Sequence, residues 1–170
     1  MRFSKLYEEL KFDDVFKKAS PEEAEDRQKK YPEMCLKEEL DNAKKTKLPD
    51  GTWHVHENLV IGGLALSNLK TLNVSNIDGY FGCTLNKLTS LEGGPKDVRG
   101  SFTCSYNRLT DLKGAPVKVR DTFICSYNKL TSLEGAPKEV DGDFLCFDNK
   151  KKFTKEDVRA VCDVKGSIYV

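Results

Sequence analysis

The chain has 170 residues, of which 38% are apolar and 32% charged, and its formal net charge is +1. This composition is typical of a soluble globular protein and argues against disorder and against a surface of clustered lysine and arginine. No run approaches the roughly 20 apolar residues that span a bilayer, and the charged N-terminus does not resemble a secretory signal, so we expect no membrane contact and a cytoplasmic location.

The N-terminal region, residues 1–50, contains no repeat and predicts helices. A first helix is expected over residues 4–11. Ser20 followed by Pro21 is typical of a second helix start, and Pro32 predicts the start of a third segment. Because these segments carry narrow apolar stripes, we interpret the region as a helical cap on the domain that follows. A separate binding module is the alternative.

The remaining residues, 51–170, repeat one pattern at a fixed spacing. Its clearest markers, 21 positions apart, are Phe81, Phe102, Phe123 and Phe144, each followed two residues later by Cys and five residues later by Asn. A unit of this length cannot bury its own apolar face, so neighbouring units must stack and share a core. The sequence therefore predicts a solenoid.

Each unit predicts one strand followed by a tight return. An alternation of apolar residue, Gly and Phe with period two is typical of a strand. Its first residue in each of six predicted coils is Val55, Ile77, Val98, Val119, Val140 and Val164. Two inward leucines and a Gly-x-Pro turn are expected to close each coil. Residues 154–161 replace the last turn and predict a short capping helix.

Two repeat positions carry polar groups. The asparagines predict a ladder whose amides satisfy backbone groups at the bend after each strand, and they are Asn86, Asn107, Asn128 and Asn149. The stacked cysteines would point the same way, an orientation poor for disulfides and for tetrahedral zinc. Buried free thiols are therefore predicted at Cys83, Cys104, Cys125 and Cys146.

With these positions aligned, the unit Phe-x-Cys-x-x-Asn-x-Leu-Thr-x-Leu-x-Gly-x-Pro of residues 102–116 resembles the leucine-rich repeat, L-x-x-L-x-L-x-x-N-x-L, in its short bacterial form. It is similar to the arrays of secreted effectors of enteric pathogens and to those of bacteriophage genomes. The resemblance covers about residues 53–170. It implies an α/β solenoid with parallel strands on the concave face, and it says little about function.

The concave face is predicted to bind a partner, since its residues differ from coil to coil. Apolar side chains gather toward the C-terminal coils, and two aspartates rim them. The predicted binding residues are Tyr106, Ile124, Tyr127, Asp143, Leu145, Phe147, Asp148 and Tyr169. The same face is expected to include Ser105 and Ser126. As an alternative, the tyrosines only pack across neighbouring strands.

A basic column follows the asparagines and consists of Lys87, Arg108, Lys129 and Lys150. It could face the phosphates of a nucleic acid, but acidic residues such as Asp111 and Glu134 alternate nearby, which favours a solvated edge. A third hypothesis is self-assembly, with a homodimer formed through the edge strand that ends at Val170.

Catalytic patterns are not found in the sequence. The only histidines are His54 and His56, and two ligands do not define a metal site. We therefore predict no enzyme, metal or cofactor, and a non-enzymatic scaffold for protein–protein interaction. The family resemblance implies a phage-encoded inhibitor that binds or occludes a bacterial host or defence protein.

Overall fold

The computed structural model describes the backbone of residues 21–170 and the side chains of residues 31–170. The helix predicted over residues 4–11 lies outside the described residues. Helix α1 spans Pro21–Asn42 and helix α2 spans Lys155–Arg159. The strands of the described part are β1 Lys45–Lys47, β2 Trp53–Val55, β3 Leu59–Val60, β4 Val74–Ile77, β5 Phe81–Gly82, β6 Asp97–Val98, β7 Phe102–Thr103, β8 Lys118–Val119, β9 Phe123–Ile124, β10 Glu139–Val140, β11 Phe144–Leu145, β12 Asp163–Val164 and β13 Ile168–Tyr169.

The strands form a β-solenoid of about six turns. The first sheet has the order β1-β2-β4-β6-β8-β10-β12, and the second has the order β3-β5-β7-β9-β11-β13. All neighbours pair in parallel except β1 and β2, which pair antiparallel. Each of the six turns contributes one strand to each sheet, so the predicted six coils are confirmed.

The prediction of a single strand per coil is wrong. The chain bends between β6 and β7 at Gly100, where an added Cβ would lie 2.8 Å from the backbone of Gly79 in the preceding coil. The coils stay stacked through this bend, because the Gly100 N–H donates to the Gly79 carbonyl oxygen over 2.9 Å. The apolar alternation continues across the bend, which is why the sequence pattern resembles one long strand.

The core lies between the two sheets and the return arcs. The repeated phenylalanines are fully buried, and their ring centroids are 5.2 to 5.4 Å apart from coil to coil. The paired leucines of the arcs are buried as predicted, and they are Leu88, Leu91, Leu109, Leu112, Leu130 and Leu133. Burial of each such side chain stabilises the fold by about 1.5–3 kcal/mol before entropy is counted.

Helix α1 differs from the prediction at Pro32, which lies inside the helix and does not start a new one. Just beyond it, Cys35 and Leu36 are buried in the same apolar cluster as the strand residues. This packing outweighs the helix-breaking tendency of the proline. The chain then forms the unpredicted strand β1. In the described residues, no helix is both long enough and apolar enough to cross a membrane.

The short helix predicted near the C-terminal end is present as α2. Its N-cap is Thr154, whose hydroxyl accepts from the Asp157 N–H over 3.1 Å, while the Thr154 N–H donates to the Asp157 carboxylate over 2.9 Å. These reciprocal bonds form a capping box. Val158 is the buried residue of this helix, and it fixes the helix on the core.

Candidate interaction surface

The asparagine ladder sets the geometry of the bend after β5, β7, β9 and β11. In one rung, the Asn128 amide donates to the carbonyl oxygens of Cys104 and Cys125 over 3.0 and 3.2 Å, and its oxygen accepts from the Leu109 N–H over 3.1 Å. The rung therefore joins consecutive coils as well as closing its own bend. The predicted ladder is confirmed, and it holds the adjacent surface residues in a fixed position.

The residue before each asparagine has a left-handed backbone. Its φ is between 54° and 56°, although none of these residues is glycine, and they are Leu85, Tyr106, Tyr127 and Asp148. This conformation is uncommon for such side chains and costs conformational energy. It was missed in the sequence because the strand alternation gives no sign of where the chain reverses.

Two of the left-handed residues, Tyr106 and Tyr127, form a row of aromatic side chains with Phe147. We call these three residues the aromatic row. The two tyrosine rings stack with centroids 4.4 Å apart and planes 9° from parallel, and Phe147 meets Tyr127 edge-on at 5.3 Å. Tyr106 is 50% exposed and Tyr127 39% exposed. The tyrosines thus pack across coils, as the alternative proposed, and also remain open to solvent.

The phenol of Tyr127 is uncharged at neutral pH. Electrostatic repulsion from Tyr106, together with partial burial and the nearby Asp148 carboxylate, raises the pKa of Tyr127. A neutral phenol can donate a hydrogen bond at the end of an apolar ring, which suits a residue at an interface.

The aromatic row continues into a groove on the second sheet. Leu145 pairs in register with Ile124 on one side and with Tyr169 on the other, so these three side chains adjoin across the strands. A depression of about 450 Å³ is lined by Leu145, Phe147, Lys155, Ile168, Tyr169 and Val170. We call the apolar side chains of this lining, which exclude Lys155, together with the aromatic row and Ile124, the apolar surface.

The polar residues predicted around this surface have different surroundings. The Asp143 carboxylate accepts from the Ser167 N–H over 2.7 Å, so one of its oxygens already bonds the next coil on the exposed side of the solenoid. Asp148 is exposed. Ser105 and Ser126, predicted to face outward, are buried, and their hydroxyls have no hydrogen-bond partner in the described part of the chain. The prediction failed because the bend turns these residues inward.

The basic column is exposed along its whole length, and none of its four residues forms an ion pair with another described residue. The acidic residues expected to balance it have other partners. Glu134 pairs with Lys113 at 3.1 Å, and Asp111 accepts from the Lys113 N–H over 3.0 Å. Among the described residues, the column therefore has no carboxylate at ion-pair distance.

The repeat cysteines are buried, as predicted. The Sγ atom of Cys104 lies 3.5 Å from the carbonyl oxygen of Ile124 in the next coil. Burial raises the pKa of Cys104 and of Cys125 well above that of a free thiol. These groups therefore pack as small apolar side chains and are poor nucleophiles.

The two histidines lie beside an aspartate that the sequence analysis did not associate with them. His54 Nε2 is 2.9 Å from Asp78 Oδ1, and His56 Nδ1 is 3.0 Å from Asp78 Oδ2. Hydrogen bonds from His56 and His54 lower the pKa of Asp78. The signal in the sequence was the coil spacing. His56 comes directly after β2, Asp78 comes directly after β4, and the two positions are about one repeat apart.

The fold and these surfaces define the class of protein: a β-solenoid of about six turns, with repeating parallel strands about 21 residues apart. No family model, curated protein or solved structure matches the chain.

Proposed function

We propose that the protein is a non-enzymatic scaffold that binds another protein through the apolar surface. The observation that supports this function is the continuity of the stacked row of Tyr106, Tyr127 and Phe147 with the groove beside Leu145 and Tyr169. Isolated exposed apolar side chains are ordinary, but a contiguous group of aromatic residues is characteristic of the energetic centre of an interface.

The rigidity of the backbone supports the same proposal. The Tyr127 N–H donates to the Phe147 carbonyl oxygen over 3.1 Å, and the side-chain amide of Asn128 donates across the bend to the Cys125 carbonyl oxygen over 3.2 Å. Because the rings are already stacked and their backbone is fixed, little conformational entropy remains to be lost when a partner binds. Binding energy can then go into contact with the partner rather than into ordering of the surface.

The biological setting of the proposal comes from the family resemblance alone. We propose that the array is a leucine-rich-repeat solenoid of the short bacterial or phage type, with residues 1–50 as its helical cap. Its partner would be a bacterial host or defence protein, which the scaffold would occlude in the cytoplasm. The burial of Leu36 in the solenoid core supports the cap.

The test is affinity capture from a bacterial lysate with purified full-length protein as bait, followed by mass spectrometry. The variant Tyr127→Asp/Phe147→Asp places two charges on the apolar surface. The matched control is Met34→Asp/Val117→Asp, which changes two apolar residues that are each 67% exposed and lie outside this surface. Circular dichroism and thermal unfolding check that each variant is folded.

The proposal expects a partner that is captured by wild type and by the control but lost from the Tyr127→Asp/Phe147→Asp variant. Equal capture by both folded variants would refute the assignment of the surface. If capture instead depends on nucleic acid in the lysate, as nuclease treatment would reveal, the basic column becomes the site to examine.

A nucleic-acid-binding function is the second candidate, because Lys87, Arg108, Lys129 and Lys150 have no acidic partner among the described residues. Stacked coils repeat at about 4.8 Å, so the column is a closely spaced row of charge. Binding through it would weaken steeply as salt concentration rises. Fluorescence anisotropy with labelled single strands, comparing wild type with alanine variants of the column, would measure this dependence.

A further inference from the structure

We propose that His54, His56 and Asp78 form a binding site for a divalent transition metal ion, with Zn²⁺ as the best match. Two imidazole nitrogens and one carboxylate oxygen are a ligand set that zinc accepts, with water completing a tetrahedral arrangement. The ligand atoms of the three residues all lie within 4.8 Å of one another. Asp78 is the third ligand that the sequence analysis lacked.

The backbone fixes these residues on adjacent coils. Strands β2 and β4 are parallel neighbours in which Val55 is opposite Ile77. The residues that come directly after these two strands, His56 and Asp78, are therefore also adjacent. The Asp78 N–H donates to the Val55 carbonyl oxygen over 2.9 Å, which continues the ladder past the end of β4. His54 and His56 are two positions apart and therefore point to the same side.

The distances need little adjustment to hold an ion. Zinc bonds of about 2.0–2.2 Å in a tetrahedral site place the ligand atoms roughly 3.3–3.6 Å apart. The separations between Asp78 and the two histidines, 2.9 and 3.0 Å, are slightly shorter, and the histidine ring centroids lie 4.4 Å apart. Small side-chain rotations would make room for the ion without moving the strands.

Thr46 supports one of the ligands. Its Oγ1 lies 3.0 Å from Nε2 of His56, the ring nitrogen that does not face Asp78. When Nε2–H donates to this hydroxyl, Nδ1 keeps its lone pair toward the metal position, as outer hydrogen bonds do in many zinc sites. Strand β1, which carries Thr46, therefore has a part in the site as well as in the sheet.

The site is accessible but already contains one competing cation. Asp78 and His54 are only partly buried, so an ion and its water ligand can approach from solvent. Arg99 Nη1 lies 3.0 Å from Asp78 Oδ1, and its side chain is 55% exposed. A metal ion must displace this guanidinium, which can turn into solvent. Removal of Arg99 should therefore strengthen metal binding.

The first test needs no substitution, because the chain contains only two histidines. Proton NMR of the full-length protein during titration with Zn²⁺ alone should shift or broaden the ring signals of both histidines until about one ion is bound per chain. Resonances that stay unchanged at excess zinc would overturn the proposal. Zinc bound elsewhere, for example at a cysteine, would leave these two ring signals in place.

Variants then test the ligand set by isothermal titration calorimetry with Zn²⁺. His54→Ala/His56→Ala and Asp78→Asn should weaken binding by at least about tenfold, Thr46→Val by about tenfold, and Arg99→Ala should tighten it. Asp97→Asn is the control, since Asp97 lies on the next strand of the same sheet and pairs with Arg120. If the folded histidine variant keeps wild-type affinity, or Arg99→Ala weakens binding, the proposed site is wrong. Arg99→Ala retains all three ligands, so it remains informative if the other variants fail to fold.

Discussion

The side-chain amide of Asn107 donates to the carbonyl oxygen of Cys83 over 2.9 Å, which joins one coil to the coil before it. The same amide donates to the Cys104 carbonyl oxygen over 3.0 Å, and its oxygen accepts from the Leu88 N–H over 3.0 Å. Its nitrogen also donates to the Ser105 carbonyl oxygen over 3.3 Å, so one buried side chain bonds four backbone groups. An asparagine of this kind is structural, and its contribution to stability can be measured.

Asn107→Ala should lower the free energy of unfolding by about 2 kcal/mol, because the buried Leu88 N–H loses its partner, which costs roughly 1–3 kcal/mol. The carbonyl oxygens of Cys83 and Cys104 keep the amides of Asn86 and Asn128 as donors. Urea denaturation followed by circular dichroism measures the change. The control is Arg108→Ala, which alters the exposed neighbour and should change stability by less than about 0.5 kcal/mol. Equal effects of the two substitutions would show that the ladder does not stabilise the solenoid.

The hydroxyl of Ser126 is buried without a hydrogen-bond partner among the described residues. Ser126→Ala removes this unsatisfied group and should raise the free energy of unfolding by about 1 kcal/mol. Ser101→Ala is the comparison, because the Ser101 hydroxyl donates to the Asp121 carboxylate over 2.6 Å and its loss should be destabilising. Chemical denaturation should give changes of opposite sign, and destabilisation by Ser126→Ala would contradict this view of the core.

Leu85 combines a φ of 56° with a side chain that is 63% exposed, so it bears backbone strain and gains little burial. Leu85→Gly should raise the free energy of unfolding by about 0.5–1 kcal/mol, since relief of left-handed strain exceeds the entropic cost of glycine. Val60→Gly is the control on a regular strand and should be destabilising by about 1 kcal/mol. A lower melting temperature for Leu85→Gly would be inconsistent with the strain.

The repeat thiols should resist modification in the folded protein. Thiolate is the reactive form, and burial raises the pKa of Cys104 and Cys125 well above the usual value and that of Cys146 to about 11. Mass spectrometry after brief iodoacetamide treatment should show these three unmodified in native buffer and modified in urea. The control is Thr110→Cys, which places a thiol at an exposed position and should be alkylated rapidly in native buffer. Rapid native labelling of Cys104 would mean that the coils open locally.

Helix α2 should lose stability in acid. The N–H of Thr154 donates to the Asp157 carboxylate and lowers the pKa of Asp157, with Lys151 acting in the same direction. Since the folded pKa lies below the unfolded one, this stabilisation is complete above about pH 4 and is lost as the pH falls toward the folded value. The difference in unfolding free energy between wild type and Asp157→Asn should therefore shrink from neutral pH to about pH 3. A constant difference would exclude the carboxylate charge as its source.

The repeated core was predictable because its residues recur at a constant interval. Phe102, Cys104 and Leu109 recur one coil later at Phe123, Cys125 and Leu130, and their burial follows from stacking. The division of each coil into two strands was not predictable, because apolar alternation continues through the bend at Gly100. Pro32 led to the opposite error: the sequence predicted a break where the structure has one continuous helix, because tertiary packing keeps the proline within it.

The candidate surface was predictable only in part. The exposure of Tyr169 follows from alternation along the second sheet, because it comes directly after the buried Ile168. Alternation from the buried Phe123 and Cys125 would instead turn Tyr127 inward and Ser126 outward. The opposite is found, because a reversal with positive φ begins at Tyr127 and turns the backbone before the alternation can continue. Asp78 was missed for another reason: its association with His56 depends on the register of two coils, and the first connection departs from the 21-residue interval.

Strand register is conserved from β5 to β11, with Phe81, Phe102, Phe123 and Phe144 each paired with the next. Every junction between these coils consequently has the same backbone partners. Removal or duplication of one 21-residue segment would leave equivalent atoms facing each other across the new junction. Duplication within a gene could thus lengthen the exposed face in steps of about 4.8 Å, the spacing of neighbouring strands. The footprint on a partner can evolve by whole coils, while the side chains on each coil vary independently.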